Sequence, residues 1–257
     1  MKIVFLGTGP SLGVPVPTCK CQTCMSSDSR DKRLRSSLYI EKQDISFVID
    51  CSPDFRQQVL RQEIRHIDFI LLTHKHNDHI GGLDDVRPFN YSQGKTMPLY
   101  CNEETAIDIK KRFYYSFEKK RYPGAPEYKI IRVQKNTRFQ AAGIDIMPIQ
   151  VLHGQMPVFA YRIGDFTYIT DAKHIEDDQK ALIKGSKFMV VNVLRPHKKH
   201  KMHFNLQEAL QLIKEISPEK AFITHMSHNF PPYKYLRELN VPDNVIFAYD
   251  GMQVRLS

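Results

Sequence analysis

Three histidines and one aspartate stand within six residues of one another: His74, His76, Asp78 and His79, in the stretch FILLTHKHNDHIGG at 69–82. In an extended segment residues two apart point the same way, so His74 and His76 can grip one ion together. Asp78 and His79 follow where the chain turns and can face a second ion beside the first. Imidazole mixed with carboxylate suits zinc, manganese or iron better than calcium or magnesium. The bland alternative is a polar surface loop rich in histidine. The buried-looking run Phe69-Ile70-Leu71-Leu72 directly before it argues against that.

A second cluster of potential ligands is Cys19, Cys21 and Cys24 in CKCQTC. In a reducing compartment such spacing suggests metal rather than disulfides. Three thiolates this close suit one tetrahedral zinc that still lacks a ligand. Cys51 and Cys101 each close an apolar run and read as small buried residues rather than nucleophiles.

These groups need rigid elements to hold them. The run at 69–72 reads as a buried strand, with a helix starting near Asp78. The same pattern, an apolar strand with His or Asp at its C-terminal end, recurs at His153, Asp171 and His225. Rigid strands position the residues of the loops that follow them, so four such ends argue for one shared site. Further strands are predicted at 2–6, 36–41, 45–50, 99–101, 144–152, 159–163, 166–170, 188–194, 220–224, 245–249 and 253–256. Helices are predicted at 53–61, 103–120, 176–184 and 206–216, with a short one at 233–239. Ser52 as cap and Pro53 as first helical residue open the first of these, and Asn205 caps the fourth. Gly7-Thr8-Gly9 makes a tight turn; Pro10, where a helix should open, excludes a dinucleotide fingerprint.

Other residues are more ambiguous. Asp84, Asp85 and Arg87 are candidates to orient the histidine rings, with a helix-surface ion pair as the alternative. Phe113, Tyr114, Tyr115 and Phe117 interleave with lysines, where a core or oligomer contact is favoured over base stacking. His66 and His174 have no companions, and His197 and His200 read as part of a basic rim.

A chain of 257 residues suits one large α/β domain with a sizeable core. Its apolar runs fall short of the about 20 residues a membrane helix needs. The first apolar run is too short for a signal peptide, so a cytoplasmic protein is expected. Lys and Arg number 37 against 28 Asp and Glu, a formal charge of +9. The cations are densest at 30–35, 110–121 and 195–201. Such a balance fits an anionic substrate or nucleic acid, and equally a merely solvated surface.

The HxHxDH order at 74–79 resembles the signature of the metallo-β-lactamase superfamily of metallohydrolases. The resemblance implies an α/β fold, an αββα sandwich of two mixed β-sheets flanked by helices. It would fill 1–257 as a single domain with a zinc-binding loop at about 17–26. Within the superfamily the chain is similar to the phosphodiesterase of the carbon–phosphorus lyase pathway and its relatives. The residues that carry this are GTG at 7–9, the Cys cluster, HKHNDHIGGLDD, YITDA around Asp171 and THMSH at 224–228. It implies that His74, His76 and His153 hold one ion, that Asp78, His79 and His225 hold another, and that Asp171 bridges them. It further implies a structural zinc on Cys19, Cys21, Cys24 and His228. His203 would contact phosphate or protonate the leaving alkoxide, which makes Asp78, Asp171 and His203 the catalytic set.

The expected activity is hydrolysis of small or cyclic phosphodiesters by a hydroxide that two divalent ions, zinc or manganese, activate. An RNA-processing endonuclease of the tRNA 3′-end type is the nearest alternative. The basic charge favours it, and the lack of a long Gly/Pro-rich insertion speaks against it. A non-catalytic nucleic-acid binder is a third reading, disfavoured by the complete ligand set. The partners expected are a small phosphodiester and no membrane. Nucleic acid stays open as a partner, and so does a homodimer by analogy with the relatives.

Overall fold

The chain is described here by a computed structural model that covers residues 1–256. The first half supplies β1 (Lys2–Gly7), β2 (Ser37–Lys42), β3 (Ile45–Ile49), β4 (Phe69–Leu71), β5 (Met97–Cys101) and β6 (Tyr128–Arg132). The second half supplies β7 (Phe139–Ala141), β8 (Ile144–His153), β9 (Met156–Ile163), β10 (Phe166–Ile169), β11 (Phe188–Asn192), β12 (Lys220–Thr224) and β13 (Val245–Phe247). The last strand, β14 (Gln253–Arg255), returns to pair with β1. The strands form two seven-stranded sheets, ordered β14-β1-β2-β3-β4-β5-β6 and β13-β12-β11-β10-β9-β8-β7. Each sheet is antiparallel over one half and parallel over the other.

The side-chain alternation of the strands dictates the layering. Ile3, Phe5, Phe69 and Leu71 face Ile146, Tyr161, Phe166 and Phe222 in the core between the sheets. Val4, Leu6, Ile70 and Leu72 point the other way. They meet Phe55 and Val59 of α1 (Phe55–Arg61), Phe89 of the helix at Arg87–Gln93, and Ala106 and Ile109 of the helix at Glu103–Arg112. On the far sheet Ile169, Met189, Val191 and Ile223 meet Ile183 of the helix at Asp177–Ile183 and Ala209 and Ile213 of the helix at Leu206–Ile216. The result is the αββα sandwich, with three apolar layers. With a four-residue helix at Asn77–Ile80 counted as α2, these helices are α3 to α6 in chain order. No described helix is long and apolar enough to cross a membrane.

Two local expectations fail for identifiable reasons. The helix predicted over 103–120 stops at Arg112 and gives way to one 3₁₀ turn, Tyr114–Ser116. Phe113, Tyr115 and Phe117 all pack on the outer core of the first sheet. Residues two apart cannot share one face of an α-helix, so burying all three requires the helix to end. The first α-helix begins at Phe55 rather than Pro53, because the Ser52 hydroxyl accepts the Asp54 N–H at 3.2 Å and forms a turn first. Strands β6 and β7 were not foreseen. Both are edge strands, and Lys129 and Arg132 on β6 are the kind of charged residue that blunts an exposed edge.

Helix α6 starts as the sequence requires. The Asn205 side chain accepts the Glu208 N–H at 2.9 Å and the Glu208 carboxylate accepts the Asn205 N–H at 2.9 Å, a complete capping box. Asn205→Ala is expected to lower stability by about 1 kcal/mol, read as a shift in the denaturant midpoint.

Candidate metal centre

Asp171 is the point on which the two sheets converge. It ends the second sheet's β10 side and lies 3.7 Å from His74 Nε2, 3.5 Å from His79 Nε2 and 3.2 Å from His225 Nδ1. Three groups of potential ligands share it: His74 and His76; His79 and His225; and His153 and His203, with donor atoms in each group within 4.8 Å of one another. Asp78 joins through His79, at 3.3 Å from its Nε2. The seven residues that the resemblance assigns to a dinuclear site, and His203, thus gather around Asp171. His74 and His79 come from the loop after β4 and the start of α2, His153 from the end of β8, and His225 from the end of β12.

Three of the rings are fixed from behind. His79 Nδ1 lies 2.6 Å from the Asp50 carboxylate, His74 Nδ1 lies 3.0 Å from the Thr73 hydroxyl, and His153 Nδ1 lies 2.7 Å from the Met202 carbonyl. His225 differs: the Ser36 hydroxyl lies 3.0 Å from Nδ1, the same nitrogen that faces Asp171 at 3.2 Å. Such outer partners set the tautomer and aim of a metal-binding imidazole. Asp50 was read only as the end of a strand. It carries the same signature as the other site residues, an acidic group at the C-terminal end of an apolar strand, and that signal would have found it. Of Asp84, Asp85 and Arg87, weighed as orienting partners against a surface ion pair, Asp84 and Arg87 take the second role. They pair with each other, and Asp84 accepts the Tyr115 hydroxyl at 2.6 Å.

The electrostatics follow from burial and crowding. Burial holds His74 well below the usual imidazole range. Burial pulls His79 in the same direction, but Asp78, Asp50 and Asp171 together hold it well above that range. For Asp171 burial acts upward, and the neighbouring His225 and His79 outweigh it, so the carboxylate stays ionised. His203 is pushed down to about 3 by burial. His74 Nε2, His79 Nε2 and His203 Nδ1 are buried without a hydrogen-bond partner. Orphaned buried nitrogens are costly. Three of them beside one ionised carboxylate fit divalent cations.

Backbone conformation adds to the picture. Asp50, Asp171 and His225 all have left-handed φ values, +66°, +52° and +60°. Each sits where the chain leaves a strand and turns across the site.

The cysteines form a separate cluster. Cys19, Cys21 and Cys24 Sγ lie 3.1, 3.6 and 3.6 Å from His228 Nδ1. Burial pushes the Cys24 thiol up to about 11; at Cys21 burial acts upward too, but the Cys24 N–H and its neighbouring side chains bring it down to about 6. Three sulfurs and one imidazole nitrogen match a closed tetrahedral zinc site. Cys51 and Cys101 are fully buried in the core of the first sheet.

The remaining histidines divide. His200 stacks on His203 with ring centres 5.3 Å apart, and so stands at the edge of the site. His197 is exposed, His66 pairs with Asp68 and His174 with Glu176.

A family model described as a beta-lactamase superfamily domain matches residues 46–226. The chain belongs to the metallo-β-lactamase superfamily. Among solved structures this metallohydrolase fold superposes on a diphosphatase from the PhnP family with a TM-score of 0.91 and 34% identity, covering 100% of this chain and 98% of that one. Zinc-bound PqqB from Methylobacterium extorquens superposes with a TM-score of 0.78 at 20% identity, over 100% of both chains, a likeness of fold. A Porphyromonas gingivalis protein named octanoyltransferase is 36% identical over 254 residues, 98% of this chain and 51% of its own. Ribonuclease Z from Methanococcus maripaludis is 27% identical over 165 residues, 63% of this chain and 47% of its own. The metallo-β-lactamase chain thus spans about half the length of these two curated relatives.

Proposed function

We propose that the protein is a metal-dependent phosphodiesterase acting on small or cyclic phosphodiesters. The observation that carries this is the convergence of the unpartnered His74 and His79 Nε2 nitrogens, with His225 Nδ1 beside them, on ionised Asp171 at the meeting of the two sheets. His74, His76 and His153 would hold one ion, Asp78, His79 and His225 the other, and Asp171 would be common to both. Two divalent ions there, zinc or manganese, supply positive charge for a phosphoryl oxygen and make water acidic enough to ionise near neutral pH. The likeness to a PhnP-family diphosphatase at 34% identity favours phosphorus chemistry.

The protein's own groups do the rest. Asp171, oriented by the Thr170 hydroxyl at 2.9 Å, supplies the shared negative charge. Asp50 keeps the His79 Nδ1 proton on the side away from the centre. His203 is neutral in the free site. A phosphodiester anion beside it favours its protonated form, which can then donate to the departing alkoxide. Lys198, Lys199 and Lys201, on the loop before His203, draw anions toward the mouth.

His203→Ala is expected to reduce kcat on alkyl diesters about 100-fold, with a much smaller loss on an aryl diester whose leaving group needs no proton. Equal losses on both would remove His203 from that role. The reading as a whole is tested by assaying metal-loaded protein on an aryl phosphodiester, a ribose cyclic phosphodiester, a diphosphate diester, pre-tRNA and an octanoyl thioester. Turnover of the small diesters supports it. The +9 charge and the ribonuclease Z match favour RNA as the second reading, so cleavage of pre-tRNA alone would replace the first. Turnover of the thioester alone would overturn both.

A further inference from the structure

Arg33 is the largest side chain buried in the molecule, and the reaction outlined above does not use it. Its guanidinium pairs with Asp31 at 3.1 Å, and neither side chain is exposed to solvent. It donates to the carbonyl oxygens of Ser227 at 3.2 Å and of Met226 at 3.5 Å. Those two carbonyls lie between His225, which faces Asp171, and His228, which faces the cysteines. The rest of the segment is held as firmly. Met226 N–H donates to the Thr8 carbonyl at 2.9 Å, and Ser227 gives both its N–H and its hydroxyl to the Leu194 carbonyl, at 3.2 and 2.6 Å.

Asp31 extends the contact to the cysteine loop. Its other oxygen accepts the Ser26 hydroxyl at 2.7 Å, two residues after Cys24, while the oxygen facing Arg33 also accepts the Tyr233 N–H at 2.9 Å. The Gly-Thr-Gly turn makes the room. A side chain on Gly9 would place its Cβ 2.7 Å from the Arg33 carbonyl, and one on Gly7 would overlap the Arg35 carbonyl. Residues 33–35 can lie against that turn only because both positions are glycine.

We propose that Arg33, anchored by Asp31, is a positioning residue that sets His225 through the Met226 and Ser227 carbonyls and so couples the cysteine cluster to the Asp171 centre. A buried guanidinium is suited to this, because its rigid fork reaches two carbonyls and a carboxylate at once. The left-handed backbone at His225, φ +60°, is less favourable for a residue with a Cβ, so an external hold on the carbonyls that follow it helps to keep it. The inference rests on the reading that both clusters bind metal.

The test is metal binding by the purified full chain, with cobalt(II) as the probe. Thiolate-to-cobalt charge-transfer absorption reports the cysteine cluster alone, and chelator competition measures the affinity of the other centre. Arg33→Met leaves Asp31 as an unpaired buried charge, so the double variant Asp31→Asn with Arg33→Met is measured beside it. The expected result is a folded double variant that keeps the thiolate–cobalt band but binds cobalt at the Asp171 centre about 10- to 100-fold more weakly. Arg33→Lys, which keeps the charge, should recover part of that loss. Wild-type affinity at the Asp171 centre in the double variant would overturn the coupling. So would loss of affinity with no recovery in Arg33→Lys, because that pattern marks a packing role. Failure of the wild type to bind cobalt at the Asp171 centre would instead remove the functional reading on which the inference stands.

Discussion

Asp171→Ala should fall below wild-type turnover by at least about 1000-fold, the scale of losing a preorganised charged group at a reacting centre. Metal content should fall at the same time, with the thiolate-bound ion retained. Asp171 is the one residue present in all three groups of ligands around the site, with carboxylate oxygens 3.2 to 3.7 Å from three different rings. Its replacement removes the anion shared by the sets of imidazoles, and like-charged ions cannot then approach each other cheaply in a buried space. The cysteine cluster does not include Asp171, so its occupancy is an internal control. Elemental analysis beside a diester assay checks both halves. Full activity, or an unchanged metal content, would refute the shared-ligand assignment.

Asp50→Ala should be the most destructive change that touches no substrate. Asp50 is fully buried and accepts two hydrogen bonds besides that of His79: the Thr73 N–H at 2.8 Å and the Thr73 hydroxyl, whose one proton is shared between the two oxygens at 3.0 and 2.9 Å. Removing it leaves a buried amide and a buried imidazole unpaired, a loss of about 3–5 kcal/mol. Metal affinity should weaken about 10- to 100-fold because the His79 ring loses its tautomer. Asp50→Asn separates the two effects. The amide retains an acceptor for Thr73 and nearly the same shape, so most of the stability should return. The charge that fixes the Nδ1 proton does not return, and metal affinity should stay low. Thermal denaturation of the metal-free protein and chelator competition read the two quantities apart. If Asp50→Asn recovers both equally, Asp50 supports the fold alone.

Much of this arrangement is legible in the sequence because its strongest signals are local. His74, His76, Asp78 and His79 lie in one short run, and the strand-end rule found His153, Asp171 and His225 without reference to one another. The sandwich follows from alternation such as Val4 and Leu6 against Ile3 and Phe5. What stayed hidden was non-local or carried by the main chain. Asp50 and His79 are 29 residues apart, and although Asp50 ends an apolar strand as the other site residues do, that position alone does not say which ring it would hold. The Met202 carbonyl that holds His153 has no sequence identity at all, since any residue could supply it. Asp84, nearer in the chain, looked the better partner, yet Tyr115 claims it from across 31 residues. The end of α4 was hidden for a related reason. Lysines and glutamates favour a helix locally, whereas Phe113, Tyr115 and Phe117 answer to a core formed by distant strands.

The left-handed turns at Asp50, Asp171 and His225 bear on how this protein would respond to selection. Aspartate and histidine tolerate that region better than most side chains, but a residue with a Cβ still loses about 1–2 kcal/mol there relative to glycine. Three such positions make the polypeptide less heat-resistant than its packing allows, and the deficit is concentrated where the chemistry is. A laboratory screen that rewarded thermal tolerance and ignored turnover would therefore drift toward glycine at Asp171 and His225, while Asp50 would stay, because its loss leaves the buried Thr73 amide and His79 ring unpaired. The survivors would be sturdier and inert, because what those backbones lose in comfort is what keeps two carboxylates and an imidazole aimed at one place.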